Sequence, residues 1–179
     1  MSTTRFLFAG FGGQGILFAG KFLAYKGLMG DKKVSWLPSY GPEMRGGTAN
    51  CSVIISDDPV GSPIVDAPDV LIAMNLPSLD KYENSVVKGG KIFVDSTLIE
   101  RKITRKDVEV YYIPSTGIAN DTGYTGLANM ILVGKILKEC KEIGEEFIED
   151  ALKKVVSARH QDLYDKNLAA IKLGFDYKE

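Results

Sequence analysis

Apolar positions along the chain fall into short continuous runs that alternate with stretches of helical period. The run RFLFA, residues 5–9, leads into glycines and predicts a buried strand. The next stretch, GQGILFAGKFLAYKGLMG, sets Ile16, Leu17, Ala19, Phe22, Leu23 and Tyr25 at helical spacing, and predicts a helix that stops near Gly27 or Gly30. KKVSWL and TANCSVIIS predict the second and third strands. After the turn-rich DDPVGSPIVDAPD, VLIAMN predicts another buried strand, LPSLDKYENSVVKGG a short helix with a glycine stop, and KIFVDST and VEVYYIPS two further strands.

The last third is helical. TGLANMILVGKILKEC carries Leu127, Met130, Ile131, Val133 and Gly134 on a face that is partly small. In GEEFIEDALKKVVSA, Phe147, Ile148, Ala151, Leu152 and Val155 share one side, with acids early and lysines late as the helix dipole favours. QDLYDKNLAAIKLGF predicts a final helix closed by Gly174. Strands that are apolar throughout, alternating with helices, predict an α/β, Rossmann-like fold: a largely parallel sheet flanked by helices. No repeat, low-complexity tract or linker interrupts it, so residues 1–179 are expected to form a single domain.

Two stretches carry candidate chemistry. GFGGQG, residues 10–15, matches G-x-G-x-x-G where a strand gives way to a helix. Glycines there allow a tight turn and close approach of a phosphate, and a helix N-terminus offers unpaired N–H groups. They equally allow the first helix to pack on the sheet. For a nicotinamide site an acid is expected at the end of strand two, about 20 residues on, but that region reads VSWLPSY, without an acid before Glu43. Gly15-x4-Gly20-Lys21 imitates a P-loop, yet Phe22 stands where a hydroxyl should hold magnesium.

The second stretch is Ser39-Tyr40-Gly41-Pro42-Glu43-Met44-Arg45-Gly46-Gly47. Pro42 fixes its own φ and biases Gly41 toward extended backbone, while Gly46 and Gly47 permit a sharp turn or close approach of another molecule. Arg45 beside two glycines suits a phosphate or carboxylate, which a guanidinium grips with paired bonds. A rigid hairpin with a surface ion pair between Glu43 and Arg45 is the plainer alternative. Strand two ends at this loop, so it is expected on the same sheet edge as the glycine loop.

Charge and cysteines narrow the classes. A formal net charge of −1 leaves no basic footprint for nucleic acid and no polybasic membrane segment. The apolar runs are too short to span a bilayer, and the N-terminus lacks a secretory pattern, so a cytoplasmic location is expected. Cys51 and Cys140, the two cysteines, make neither zinc spacing nor the four ligands of an iron–sulfur cluster, and read as thiols of a reducing compartment. His160, the one histidine, reads as a surface residue. No catalytic residue and no metal ligand is expected. Thr125 and Asn129, on the helix of TGLANMILVG, suit a subunit interface or internal capping and packing alike. Asn75 suits a ligand crevice or a simple strand exit.

GFGGQGILFAGKFLA, SYGPEMRGGTANCSVIIS and DKNLAAIKLGF together resemble the gamma subunit of the 2-oxoacid:ferredoxin oxidoreductases, in the 2-oxoglutarate or branched-chain 2-oxoacid branch, over nearly the whole chain. The resemblance implies a multi-subunit enzyme that converts a 2-oxoacid and coenzyme A to acyl-CoA, carbon dioxide and reduced ferredoxin. It implies thiamine diphosphate and iron–sulfur clusters in partner subunits, with alpha, beta and delta chains as partners and ferredoxin met indirectly. This chain would pack against alpha and help bind coenzyme A, through Gly10, Gly12, Gly13, Gln14 and Gly15 and through Ser39, Tyr40, Gly41, Pro42, Glu43, Arg45, Gly46 and Gly47. A self-contained NAD(P)-dependent oxidoreductase and a standalone nucleotide-binding regulator are the alternatives.

Overall fold

The strands make one sheet in the order β2-β3-β1-β4-β5-β6. A computed structural model of the chain describes residues 2–40 and 48–179. Along it run β1 (Thr3–Phe11), α1 (Ile16–Met29), β2 (Lys33–Tyr40), β3 (Thr48–Ser56), β4 (Val70–Ala73), α2 (Leu76–Tyr82), β5 (Lys91–Asp95), β6 (Glu109–Ile113), α3 (Ser115–Asp121), α4 (Ala128–Glu139), α5 (Ile148–Val155) and α6 (Gln161–Asp176). β1, β4, β5 and β6 are mutually parallel. β3 is antiparallel to both of its neighbours, β1 and β2. The sheet is therefore mostly parallel, with one reversed strand set between β1 and β2.

Both faces are covered, which is why the central strands are apolar without alternation. Strand alternation sends Phe6, Phe8, Val53, Ile72 and Phe93 to one core, under α1, α4, α5 and α6. It sends Leu7, Leu71, Ala73, Ile92 and Val94 to a second core under α2, closed by Leu79, Val86 and Ile99.

Three helices depart from the pattern-based expectation. Gly174 does not close the last helix: α6 runs through it to Asp176, and Gly174 is buried. A Cβ on Gly174 would overlap the Ile131 carbonyl of α4, and one on Gly134 would overlap the Ile171 carbonyl of α6. The two glycines let α4 and α6 touch backbone to backbone, so the small face of α4 is a helix-packing seam. The second departure is α3, whose sequence STGIAND has no helical apolar stripe. It is fixed from outside: the buried Asp95 carboxylate accepts the Thr116 hydroxyl at 2.5 Å and the Thr116 N–H at 3.4 Å. Thr97 Oγ1 accepts the Gly117 N–H at 3.0 Å. Phe147, predicted on the inner side of α5, is exposed in a left-handed conformation just before it, while Ala151 and Leu152 are buried.

The two outer strands each carry a local feature. β2 contains Pro38. The outward N–H of Tyr112 in β6 donates to the Glu179 carboxylate at 2.7 Å. Among the described residues no helix is long and apolar enough to cross a membrane.

Candidate functional site

β1, β4, β5 and β6 all end at one edge of the sheet, and β2, antiparallel to β3 as β1 is, ends there too. α1 packs into the first core and α2 into the second. The helices after β1 and β4 thus leave on opposite faces, opening a crevice between the two strand ends.

The glycine loop borders this crevice. Gly10 is buried in β1, while Gly12 and Gly13 sit in an exposed turn. Gly13 has φ 91° and nothing near its Cβ position; Gly15, with φ 74°, is the N-cap of α1. No side chain caps α1, so its first N–H groups are available to an anion. The Gln14 side chain turns inward: Oε1 accepts the Phe11 N–H at 2.6 Å and Nε2 donates to the Met74 carbonyl at 2.9 Å. Asn129 Nδ2, from α4, donates to the Gly15 carbonyl at 3.0 Å. Of the two roles open to Asn129 from the sequence, this is the internal one. Thr125 lies in the exposed turn before α4.

Of the second predicted loop, Gly41, Pro42, Glu43, Arg45, Gly46 and Gly47 lie outside the described residues. Its roots do not. Ser39, exposed, pairs with Asn50; the Tyr40 backbone pairs with Ala49; and Thr48 pairs with Phe11. Both roots stand beside the glycine loop, on the edge where the sequence puts them.

The sequence did not single out the group at the ends of β5 and β6. Asp95, fully buried, is ringed by Thr97 and Thr116, and the buried Ser115 hydroxyl beside them has no partner. An acid closing the apolar run KIFVD was the available signal. Asn75 caps α2, its Oδ1 accepting the Ser78 N–H at 2.8 Å, which is the strand-exit role; its Nδ2 is buried without a partner.

The geometry disfavours a dinucleotide site. The ribose-binding acid of such sites comes from the end of a parallel strand next to β1. Here that place belongs to β3, which runs the other way and presents Thr48 opposite Phe11. Among the described residues no three His, Cys, Asp or Glu side chains gather as metal ligands. Cys51 and Cys140 are buried, and burial pushes each thiol up to about 12, so neither is a ready thiolate. His160 is exposed.

The fold defines a Rossmann-like α/β protein with an uncapped helix N-terminus at its switch point. Residues 5–177 match the family model described as pyruvate ferredoxin/flavodoxin oxidoreductase, and the chain belongs to that family. It is 38% identical over 174 residues to the ketoisovalerate oxidoreductase subunit VorA of Methanothermobacter thermautotrophicus, covering 97% of this chain but 36% of that one. The chain thus spans about a third of that relative. It is 34% identical over 171 residues to the 2-oxoglutarate synthase subunit KorC of Methanocaldococcus jannaschii, covering 94% of this chain and 90% of that subunit.

Among solved structures, the gamma subunit of a keto/oxoacid ferredoxin oxidoreductase from Geobacter sulfurreducens superposes with a TM-score of 0.85 at 29% identity, covering 98% and 96% of the two chains. The 2-oxoglutarate:ferredoxin oxidoreductase of Magnetococcus marinus, solved with 2-oxoglutarate, coenzyme A and succinyl-CoA, shares the fold. Its TM-score is 0.88 at 22% identity, with 98% of this chain and 31% of that one covered.

Proposed function

We propose that the chain is the gamma subunit of a 2-oxoacid:ferredoxin oxidoreductase of the 2-oxoglutarate synthase type, and that it turns over only within the assembled enzyme. The carrying observation is the end-to-end match with a KorC subunit, which covers 90% of that subunit's length. The residues agree with a non-autonomous role. Two buried thiols with raised pKa are no ligand set for an iron–sulfur cluster, which takes four thiolates. Thiamine diphosphate and the clusters belong to alpha, beta and delta partners in this reading, and the alpha subunit packs on this chain.

The crevice takes the phosphates of coenzyme A. The supporting features are the uncapped N-terminus of α1, the exposed turn at Gly12 and Gly13, and the roots of residues 41–47 beside them. Arg45 supplies the fixed positive charge, and Tyr40 and Glu43 meet the alpha subunit or orient Arg45.

The test is anaerobic co-purification on a tagged chain from its own cells, with coenzyme A-dependent reduction of a viologen dye assayed on 2-oxoglutarate, ketoisovalerate and pyruvate. Recovery of a thiamine-binding chain and a cysteine-rich chain, with turnover of one acid, is the expected result. A chain that comes down alone and inert overturns the subunit reading. In the active complex Arg45→Ala raises the KM for coenzyme A about tenfold or more, as loss of a charged hydrogen-bond donor does. An unchanged KM removes Arg45 from the phosphate site.

A further inference from the structure

The G-x-G-x-x-G pattern is usually explained by what its glycines offer a ligand. Here two of the three are explained by the chain itself. A Cβ on Gly10 would lie 2.5 Å from Gln14 Oε1, and one on Gly15 would overlap Asn129 Nδ2. The space under each glycine is filled by a carboxamide, and each carboxamide bonds loop backbone. Gln14 ties Phe11 N–H, at the loop's start, to the Met74 carbonyl beyond β4; Asn129 ties the Gly15 carbonyl, at its end, to α4. Gly13 has open space where its Cβ would be.

Asn129 shows that this arrangement has a cost. It is 4% exposed, in a helix whose next four residues, Met130, Ile131, Leu132 and Val133, are buried apolar side chains. A leucine there would need no hydrogen bond, whereas the carboxamide leaves Oδ1 without a donor. The one side-chain bond it makes serves the loop, not the helix.

We propose that Gln14 and Asn129 are positioning residues, two inward carboxamides that hold the glycine loop in its ligand-ready shape. The part that meets the anionic ligand is then the Gly12–Gly13 turn with the first N–H groups of α1. This rests on the coenzyme A reading given above. Gln14, grouped with the ligand-facing residues by its place in the motif, acts through the backbone it braces. A loop fixed before binding loses less freedom when the ligand arrives, so the bracing acts on affinity rather than on chemistry.

Two arms test the proposal with Gln14→Met and Asn129→Leu, which keep side-chain size and remove the polar groups. The first is amide hydrogen exchange on the free chain. Gln14→Met is expected to speed exchange at Phe11 roughly tenfold or more, and Asn129→Leu at Ala19, whose N–H shares the Gly15 carbonyl. Exchange at Val53, in the sheet centre, stays as in the parent. Unchanged rates at Phe11 and Ala19 overturn the bracing.

The second arm is steady-state kinetics of the assembled enzyme. The KM for coenzyme A is expected to rise roughly tenfold, with kcat and the KM for the oxoacid within about twofold. In the exchange arm Gln14→Glu, which keeps the acceptor for Phe11 N–H, should restore part of the protection at Phe11. Faster exchange with an unchanged KM for coenzyme A would make the carboxamides structural only and overturn the positioning role. An assembled enzyme indifferent to coenzyme A would overturn the ligand reading itself, while the exchange arm still decides whether the loop is braced.

Discussion

Lys26 is a buried ammonium at the far end of α1 from the crevice, donating to the Ile143 carbonyl at 2.5 Å. Desolvation lowers its pKa below the ordinary 10.5, and Glu146 and Glu145 offset this only in part. The sign follows. Between the lowered folded value and 10.5, the unfolded chain holds the proton more tightly than the folded one, so stability rises with pH across that window. The destabilisation is complete below the folded pKa and gone above 10.5. Urea unfolding of the parent and Lys26→Met, measured from neutral pH to pH 10.5, should show the parent gaining on the variant as pH rises. A constant difference would mean that Lys26 titrates normally. At this scale the sequence was half legible. The glycines and Gln14 were visible as a motif. The inward turn of Gln14 was not, because it depends on Met74, which the chain brings near only through the β1–β4 pairing.

Elements were legible wherever burial on both sides wrote a continuous apolar run. TANCSVIIS is β3 residue for residue, and the first helix ends at Met29, with Gly30 as its C-cap. α3 was not legible, because its hydrogen-bond partners, Asp95 and Thr97, lie about 20 residues earlier, at the end of β5 and in the turn after it. Gly174 misled for a related reason. A glycine near a helix end signals a stop unless another helix needs the space, and here α4 does. Gly174→Ala should therefore be severe. Its Cβ meets backbone, which has no rotamer with which to move aside, so a loss of about 3 kcal/mol is expected by urea unfolding. A loss within about 0.5 kcal/mol, as at a surface site, would show that the α4–α6 seam is slack.

At the scale of the whole molecule, the alternation of strands and helices announced the fold class, and the residues flanking 41–47 stand on the same edge as the glycine loop. The reversed β3 was foreseen only through the hairpin alternative for residues 39–47, though a further signal existed. Seven residues, 41–47, separate β2 from β3, too few for the crossover that parallel neighbours need. The strand order leaves β2 and β6 as the two outer strands, each with the local feature described above. In β2, Pro38 lacks the N–H that a neighbouring strand would need to zip past it, and the Glu179 carboxylate occupies the outward Tyr112 N–H of β6. An open sheet faces a hazard that a closed barrel does not: copies of the same chain, at high local concentration, adding strand to strand. Both borders of this sheet are blunted against such growth, so its two ends are poor templates for the strand of another copy.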